Sequence, residues 1–412
     1  MTASAYEAAG LAPPATAGRR RILLSPFGWY TRLRLRSYAQ HVFIVTAGLL
    51  AIALSIDVAP RLGKIMAAAS PDATLLGAAA HLAWYLALRA VDFITRLLPL
   101  GCFLGVLWSE GLHTYYRERI MIWNSGRSPL QCLAPVLILA AVTGALAFAL
   151  EAYVRPLAVM VQASARLGEY GERFNRALSS ERYWIAAGDD LVHARIDYGP
   201  PPALIDVMIY RHAPDGRLSE IISARSAAPA SKGVWLLRGG DRWTVGSEKN
   251  SSPPASERTG EEAGAAEEIV LKLDPLWLSN YRIYAKFLPH AALETLAQAS
   301  GGQYAVSDYQ TWLHFRYAEL LYPGALALLA VSLALLLMAN AVRVESVLII
   351  GFAGYGGHVS LRACLMLGEN GYLPPIVAGW FTPVVLISVS IAVLAVVKWR
   401  SMGVVWNTAR PT

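Results

Sequence analysis

Three charged residues inside an apolar stretch are the first whose spacing could do chemistry. Arg89, Asp92 and Arg96 fall three and four apart in "HLAWYLALRAVDFITRLLPLGCFLGVLW" (81–108), which puts them on one helix face. Charges in such a stretch are expensive unless paired or wetted, so they read as an ion pair inside a helical bundle or facing water within it. A proton or ion path would need more carboxylates. The other reactive side chains are sparse. Cys102, Cys132 and Cys364 each lie in or beside an apolar stretch and have no paired spacing, so neither a disulfide framework nor a metal site is expected. They read as buried helix cysteines. His193, His212 and His290 are scattered and read as surface or strand positions. The chain has no G-x-x-x-x-G-K-[ST], no G-x-S-x-G and no H-E-x-x-H. Those motifs cradle nucleotide phosphate, present a serine nucleophile and hold catalytic zinc. The chain therefore cannot cradle a nucleotide by that route.

The elements that would carry these residues are largely membrane spans. Of 412 residues 55% are hydrophobic and 16% charged, well under the roughly 25% charged of a soluble domain. The net charge of +7 could suggest nucleic acid, but the basic residues flank apolar runs, which favours a topological role. About 20 helical residues cross a bilayer, and six runs qualify: 41–60, about 76–108, about 133–156, about 317–341, about 345–367 and about 373–397. Arg19, Arg20, Arg21, Arg32, Arg34 and Arg36 precede the first, and Lys398 and Arg400 follow the last. Both termini are accordingly expected in the cytoplasm. Residues 1–37 read as a cytoplasmic tail, its first 20 disordered and not a cleaved signal peptide, and 400–412 as a second tail. The domain plan is 38–158 for spans one to three, 159–304 for a soluble insert on the opposite side, and 305–399 for spans four to six.

The insert reads as antiparallel β, a sandwich or jelly roll. Val192, Ala194, Ile196 and Tyr198 alternate onto one face, as do Ile205, Val207 and Ile209. Pro214-Asp215-Gly216 makes a turn. "GVWLLRGGDRWTV" reads as two strands around Gly239-Gly240, and "EIVLKL" adds another. The polar stretch 247–268 is a loop expected to be disordered. The fold class is thus six transmembrane helices plus a jellyroll-like all-β domain.

Between spans two and three lies "RERIMIWNSGRSPL" (117–130), which the topology puts in the cytoplasm. Gly126 is a helix stop and Ser128-Pro129 a start for the next helix. A short amphipathic helix here, about 110–127, could lie at the lipid interface or dock in a groove on a soluble partner; its chemistry leaves both open.

"ERIMIWNSGRSPL" resembles the cytoplasmic segment of the lipopolysaccharide-export permeases of the LptF/LptG family. That pattern has a Glu, a Gly eight residues on and a Ser two further, matched by Glu118, Gly126 and Ser128. "LLPLGCFLGVL" (97–107), "APVLILA" (134–140), "EAYVRPLA" (151–158), "MIYRHAPDGRLSEIISARSAAPASKGVWLL" (208–237) and "GENGYLPPIVAGW" (368–380) resemble further segments, collinear over most of 25–400. The 208–237 stretch is the more LptG-like. Departures are a second span without Pro between Arg89 and Arg96, and a looser spacing of Arg316 and Pro323.

The resemblance implies a permease subunit of the bacterial inner membrane. Such a subunit pairs with its paralogue (LptF with LptG), an LptB-type ATPase dimer that uses ATP and Mg, an LptC-type single-span subunit and a periplasmic LptA-type bridge. It needs no cofactor of its own and no nucleic acid. It extracts lipopolysaccharide from the outer leaflet and passes it to periplasmic jellyrolls. Glu118, Trp123, Gly126, Arg127 and Ser128 would form the coupling segment against the ATPase. Arg61, Lys64 and Arg155 would meet lipopolysaccharide phosphates, the alternative for each being a cation that snorkels to the headgroups. Readings kept beside this one are an ABC-type permease for another lipid or lipoprotein, a membrane-anchored hydrolase and a scaffold.

Overall fold

The computed structural model describes residues 28–67, 74–124, 132–165, 167–171, 181–199, 201–213, 215–231, 233–244, 266–281, 283–298 and 306–408. Among the described residues five helical segments are long and apolar enough to cross a bilayer, and a bent pair of helices makes six if the pair is counted as one span. A helix satisfies its own backbone polar groups, which is what hydrocarbon demands. Helix α1 (Trp29–Val58) continues through a 3-10 turn at Ala59–Arg61 into α2 (Leu62–Ala67). It starts well before the apolar run at 41, inside the expected tail. Its arginines and leucines are good helix formers, and Arg34 and Tyr38 turn inward and are buried. Residues 1–27 of that tail lie outside the described residues.

Helix α3 (Leu75–Tyr115) has 41 residues, about 60 Å, against a hydrocarbon core of about 30 Å, so its ends stand clear of lipid. Thr74 caps it, its Oγ1 accepting from Gly77 N at 3.3 Å. It takes in Glu110–Tyr115, which sequence had assigned to the short amphipathic helix, because Glu110, His113 and Thr114 face inward and are buried. The chain then turns at Arg117, whose φ of +58° is the left-handed conformation that commonly ends a helix. Helix α4 (Glu118–Asn124) follows. Next come α5 (Ala134–Ala149), a π turn at Leu150–Val154 and α6 (Arg155–Ser164), together one span of 31 residues.

The fourth span is broken. Helix α9 (Val306–Ala318) and α10 (Tyr322–Leu337) meet at 51°; the apolar run expected as the fourth span, about 317–341, takes in the break and α10 but not the body of α9. Pro323 sits in the first turn of α10, where a missing N–H costs nothing. Helices α11 (Val344–Glu369) and α12 (Pro375–Thr408) finish the bundle, so most of the expected tail at 400–412 is helical. The bundle core runs from Tyr38 and Val42 on α1 through Cys102, Phe103 and Val106 on α3 to Leu326, Ala330 and Ala334 on α10. No disulfide joins the three cysteines; Cys102 is buried as expected, whereas Cys132 and Cys364 are only half-buried.

The insert forms one antiparallel sheet in chain order: β1 (Tyr183–Ala187), β2 (Asp190–Asp197), β3 (Ala203–His212), β4 (Leu218–Ser231), β5 (Val234–Thr244) and β6 (Ala266–Val270). Val192, Ala194 and Ile196 face the core as their alternation predicts. In β3 the inward set is Leu204, Val207 and Ile209, not Ile205. Pairing with β2 slips by one residue after Arg195↔Ile205, and Asp206 has φ +52°. That bulge reverses which side chains point in. Val234–Thr244 is one strand, not two. Gly239, at φ +63°, lets the chain pass without turning back, and Arg238 and Gly240 on either side both pair with β4. The β3–β4 turn sits where Pro214-Asp215-Gly216 predicts, with Gly216 at φ +80°; Pro214 itself lies outside the described residues. So does 247–268 as far as residue 265, the last three residues of that stretch opening β6. The apolar face of the sheet is covered by Leu271, Leu273 and Leu278, the last on α7 (Pro275–Ser279). Trp235 Nε1 donates to Leu273 O at 3.2 Å. A 3-10 turn (Ala285–Phe287) and α8 (His290–Gln298) lead back to the bundle.

Candidate functional site

Polar side chains gather at both ends of the bundle. At the end beside the sheet, Asp57 on α1 accepts from Arg61 Nη1 at 2.8 Å and from Arg89 Nε and Nη2, each at 2.8 Å. Arg89 Nη2 also donates to Glu169 at 2.7 Å. Asp92 accepts from Arg155 Nε at 2.8 Å, from Tyr170 OH at 2.8 Å and from Arg96. Arg89 Nη1 and Asp92 Oδ2 stand 3.6 Å apart and join the two halves. Arg155 Nη1 donates to Glu151 at 2.7 Å. The π turn places buried Glu151 one helical turn ahead of Arg155; such turns recur at functional sites. Burial and the Asp92 carboxylate push the Tyr170 phenol up to about 12, so it stays protonated and donates.

This network clamps α1, α3, α5–α6 and residues 167–171 together. Four guanidinium groups meet four carboxylates in it, so it is internally neutral. Asp92, Arg89, Glu151 and Arg155 are each at most 4% exposed. The sequence-predicted Arg61 and Arg155 both belong to it and are not bare rim cations. Lys64 falls on α2, and its side chain lies outside the described residues.

Next to the network is a pocket of about 180 Å³ lined by Arg96, Arg155, Lys286, Arg362, Glu369, Trp312, Leu365 and Met366. Of the four cations on its wall, Arg96 and Arg155 already belong to the neutral network, and Lys286 and Arg362 are added to it together with the carboxylate of Glu369. Glu369 accepts from Trp312 Nε1 at 2.7 Å, and Arg362 on α11 is exposed, with no salt-bridge partner among the described residues. Such a lining suits a phosphate-bearing group whose apolar part rests on Leu365 and Met366. Sequence reading missed Lys286 and Arg362. Arg362 carried a signal, a lone cation within an apolar span, whereas Lys286 arrives from the chain beyond the sheet.

At the other end, α4 forms an elbow. Glu118 opens α4, its side chain 54% exposed, with Oε2 2.8 Å from His113 Nδ1. Trp123 packs partly on the bundle core and lines a small cavity with Tyr30, Tyr38, Glu110, His113 and Arg119. Gly126, Arg127 and Ser128 lie outside the described residues. Glu110, buried beneath the elbow and bonded to Arg34, Tyr38 and Arg119, was also missed. Its signal was a single acid in the run "LGVLWSEGL".

Among the described residues no group of three His, Cys, Asp or Glu side chains could hold a metal ion. A family model described as lipopolysaccharide export system permease LptF/LptG matches residues 32–395. A search of curated proteins gave no match.

Proposed function

The chain belongs to the LptF/LptG family of lipopolysaccharide-export permeases, and from that premise we propose which of its residues meet the lipid and which meet the source of energy. Members are multi-pass transmembrane subunits, and the partner LptB hydrolyses the ATP. The phosphates of lipopolysaccharide are held at the pocket lined by Arg96, Lys286, Arg155 and Arg362, and Arg61 and Lys64, just past the first span in sequence, are further phosphate contacts. The observation that carries this reading is that Lys286 and Arg362, two cations outside the neutral network, line that pocket with Glu369 as the one further carboxylate. Arg362 leads because it is exposed, while Arg61 and Arg155 act chiefly by holding the pocket's frame. By the positive-inside bias the elbow and both termini are cytoplasmic and the sheet periplasmic.

The elbow helix α4, with Glu118 and Trp123, and the following Gly126, Arg127 and Ser128, docks on an LptB-type ATPase dimer. The paralogue at its side, an LptC-type subunit and an LptA-type bridge complete the complex. Residues 208–237 favour LptG over LptF as the closer type. A photoreactive residue in place of Arg362 is expected to crosslink lipopolysaccharide in the assembled transporter. Labelling no stronger than at Ile349, on the far face of the same helix and 56% exposed, would reject the pocket. Glu118→Lys is expected to insert normally and to lose the co-purifying ATPase.

A further inference from the structure

Glu110 is 3% exposed and sits where the elbow meets the bundle. Its Oε1 accepts from Arg34 Nη2 at 2.5 Å and from Tyr38 OH at 2.5 Å, both on α1. Its Oε2 accepts from Nη2 of Arg119 on α4. Arg119 Nη1 then donates to the carbonyls of Ala334 at 3.2 Å and Met338 at 3.1 Å, at the C-terminal end of α10. Thr114 Oγ1 donates to the same Met338 carbonyl at 3.1 Å. One carboxylate thus joins α1, α3 and α4, and the guanidinium it holds reaches α10.

The route by which a push on α4 can enter the bundle is narrow. Helix α4 has seven residues, and Arg119 is the one that is buried. The turn at Tyr116 and Arg117 separates α4 from α3, so the two do not move as one rod. Buried ion pairs are seldom retained for stability alone, because well-packed apolar residues serve as well. What a charge-assisted hydrogen bond adds is a fixed direction between its partners.

We propose that Glu110 is a positioning residue that converts displacement of α4 into movement of α1 and α10, and so couples ATP hydrolysis by the partner to lipid transfer. This rests on the reading of α4 as the ATPase contact. The test uses the complete transporter in proteoliposomes, with three readouts: ATPase retained on purification, ATP turned over, and lipopolysaccharide transferred per ATP. Glu110→Gln keeps the shape and removes the charge. It is expected to retain the ATPase and hydrolyse ATP while transfer per ATP falls by at least about fivefold, the lower end of ordinary coupling between sites. Tyr38→Phe removes one donor from the carboxylate and no charge, and is expected to lower the same ratio by less. If Glu110→Gln does not accumulate, Tyr38→Phe decides alone. An unchanged ratio with the ATPase retained overturns the role of Glu110 and leaves the elbow contact standing. Full ATPase retention by Glu118→Lys removes the elbow contact instead.

Discussion

Arg155 and Arg362 line the same pocket but are held in opposite ways, and this separates stability from binding. Arg155 reaches Asp92 through Nε and Glu151 through Nη1, a grip that a lysine's single ammonium cannot copy. Removing it strands Glu151, itself 3% exposed, and breaking a buried pair by deleting one partner costs about 3–5 kcal/mol. Arg362 is exposed, so its removal is expected to stay within about 0.5 kcal/mol. Thermal unfolding of the purified chain checks both. Arg155→Ala should lower Tm markedly and Arg362→Ala should not. Similar losses for the two would mean that Arg155 is no more structural than its exposed neighbour. Spacing alone places Arg89, Asp92 and Arg96 on one face, but the partners that hold them, Asp57, Arg155, Glu169 and Tyr170, come from other segments, and no local pattern announces them.

At the scale of elements, the break in the fourth span depends on a glycine in the third. A Cβ built on Gly144 would lie 1.9 Å from the carbonyl oxygen of Leu320, in the turn between α9 and α10. Backbone on both sides leaves no flexible side chain to yield, so Gly144→Ala is expected to cost about 1–3 kcal/mol, as overpacking does. Gly48→Ala, with nothing within 4 Å, should be neutral or gain up to about 1 kcal/mol of helix propensity. Unfolding of the two variants in detergent is the check, and equal Tm values would remove Gly144 as the seat of the break. The same pair explains what sequence could reveal. Hydropathy reports that 317–341 is apolar but not the path it takes, and Gly144 lies some 180 residues away. Strand alternation was legible in β2, where it runs unbroken. It misled in β3, where Asp206 inserts a bulge, and in β5, where Gly239 permits a continuing strand as readily as a turn.

For the molecule as a whole, the order of elements fixes which surfaces can share a compartment. One span, α5–α6, separates the elbow from the sheet, and three, α9–α10, α11 and α12, separate the sheet from the residues after Arg400. With the bent pair counted as one span, the elbow and the C-terminal residues are expected on one side and the sheet on the other, whichever side is which. The basic residues choose: Arg32 and Arg36 at the head of α1 and Lys398 and Arg400 near the end of α12 favour the cytoplasm. This can be tested in a chain whose Cys102, Cys132 and Cys364 are replaced by alanine. A single new cysteine is placed either at Met121 on α4, 68% exposed, or at Arg217 on the β3–β4 turn, its side chain 88% exposed. An impermeant maleimide is expected to label Arg217→Cys in sealed right-side-out vesicles and Met121→Cys in inverted ones. Exchange of the two patterns would invert the assigned orientation while keeping the span count. Labelling of both sites from the same side would break the count itself. The elbow would then share a compartment with the sheet, and ATP hydrolysis at one face could not drive lipid out at the other.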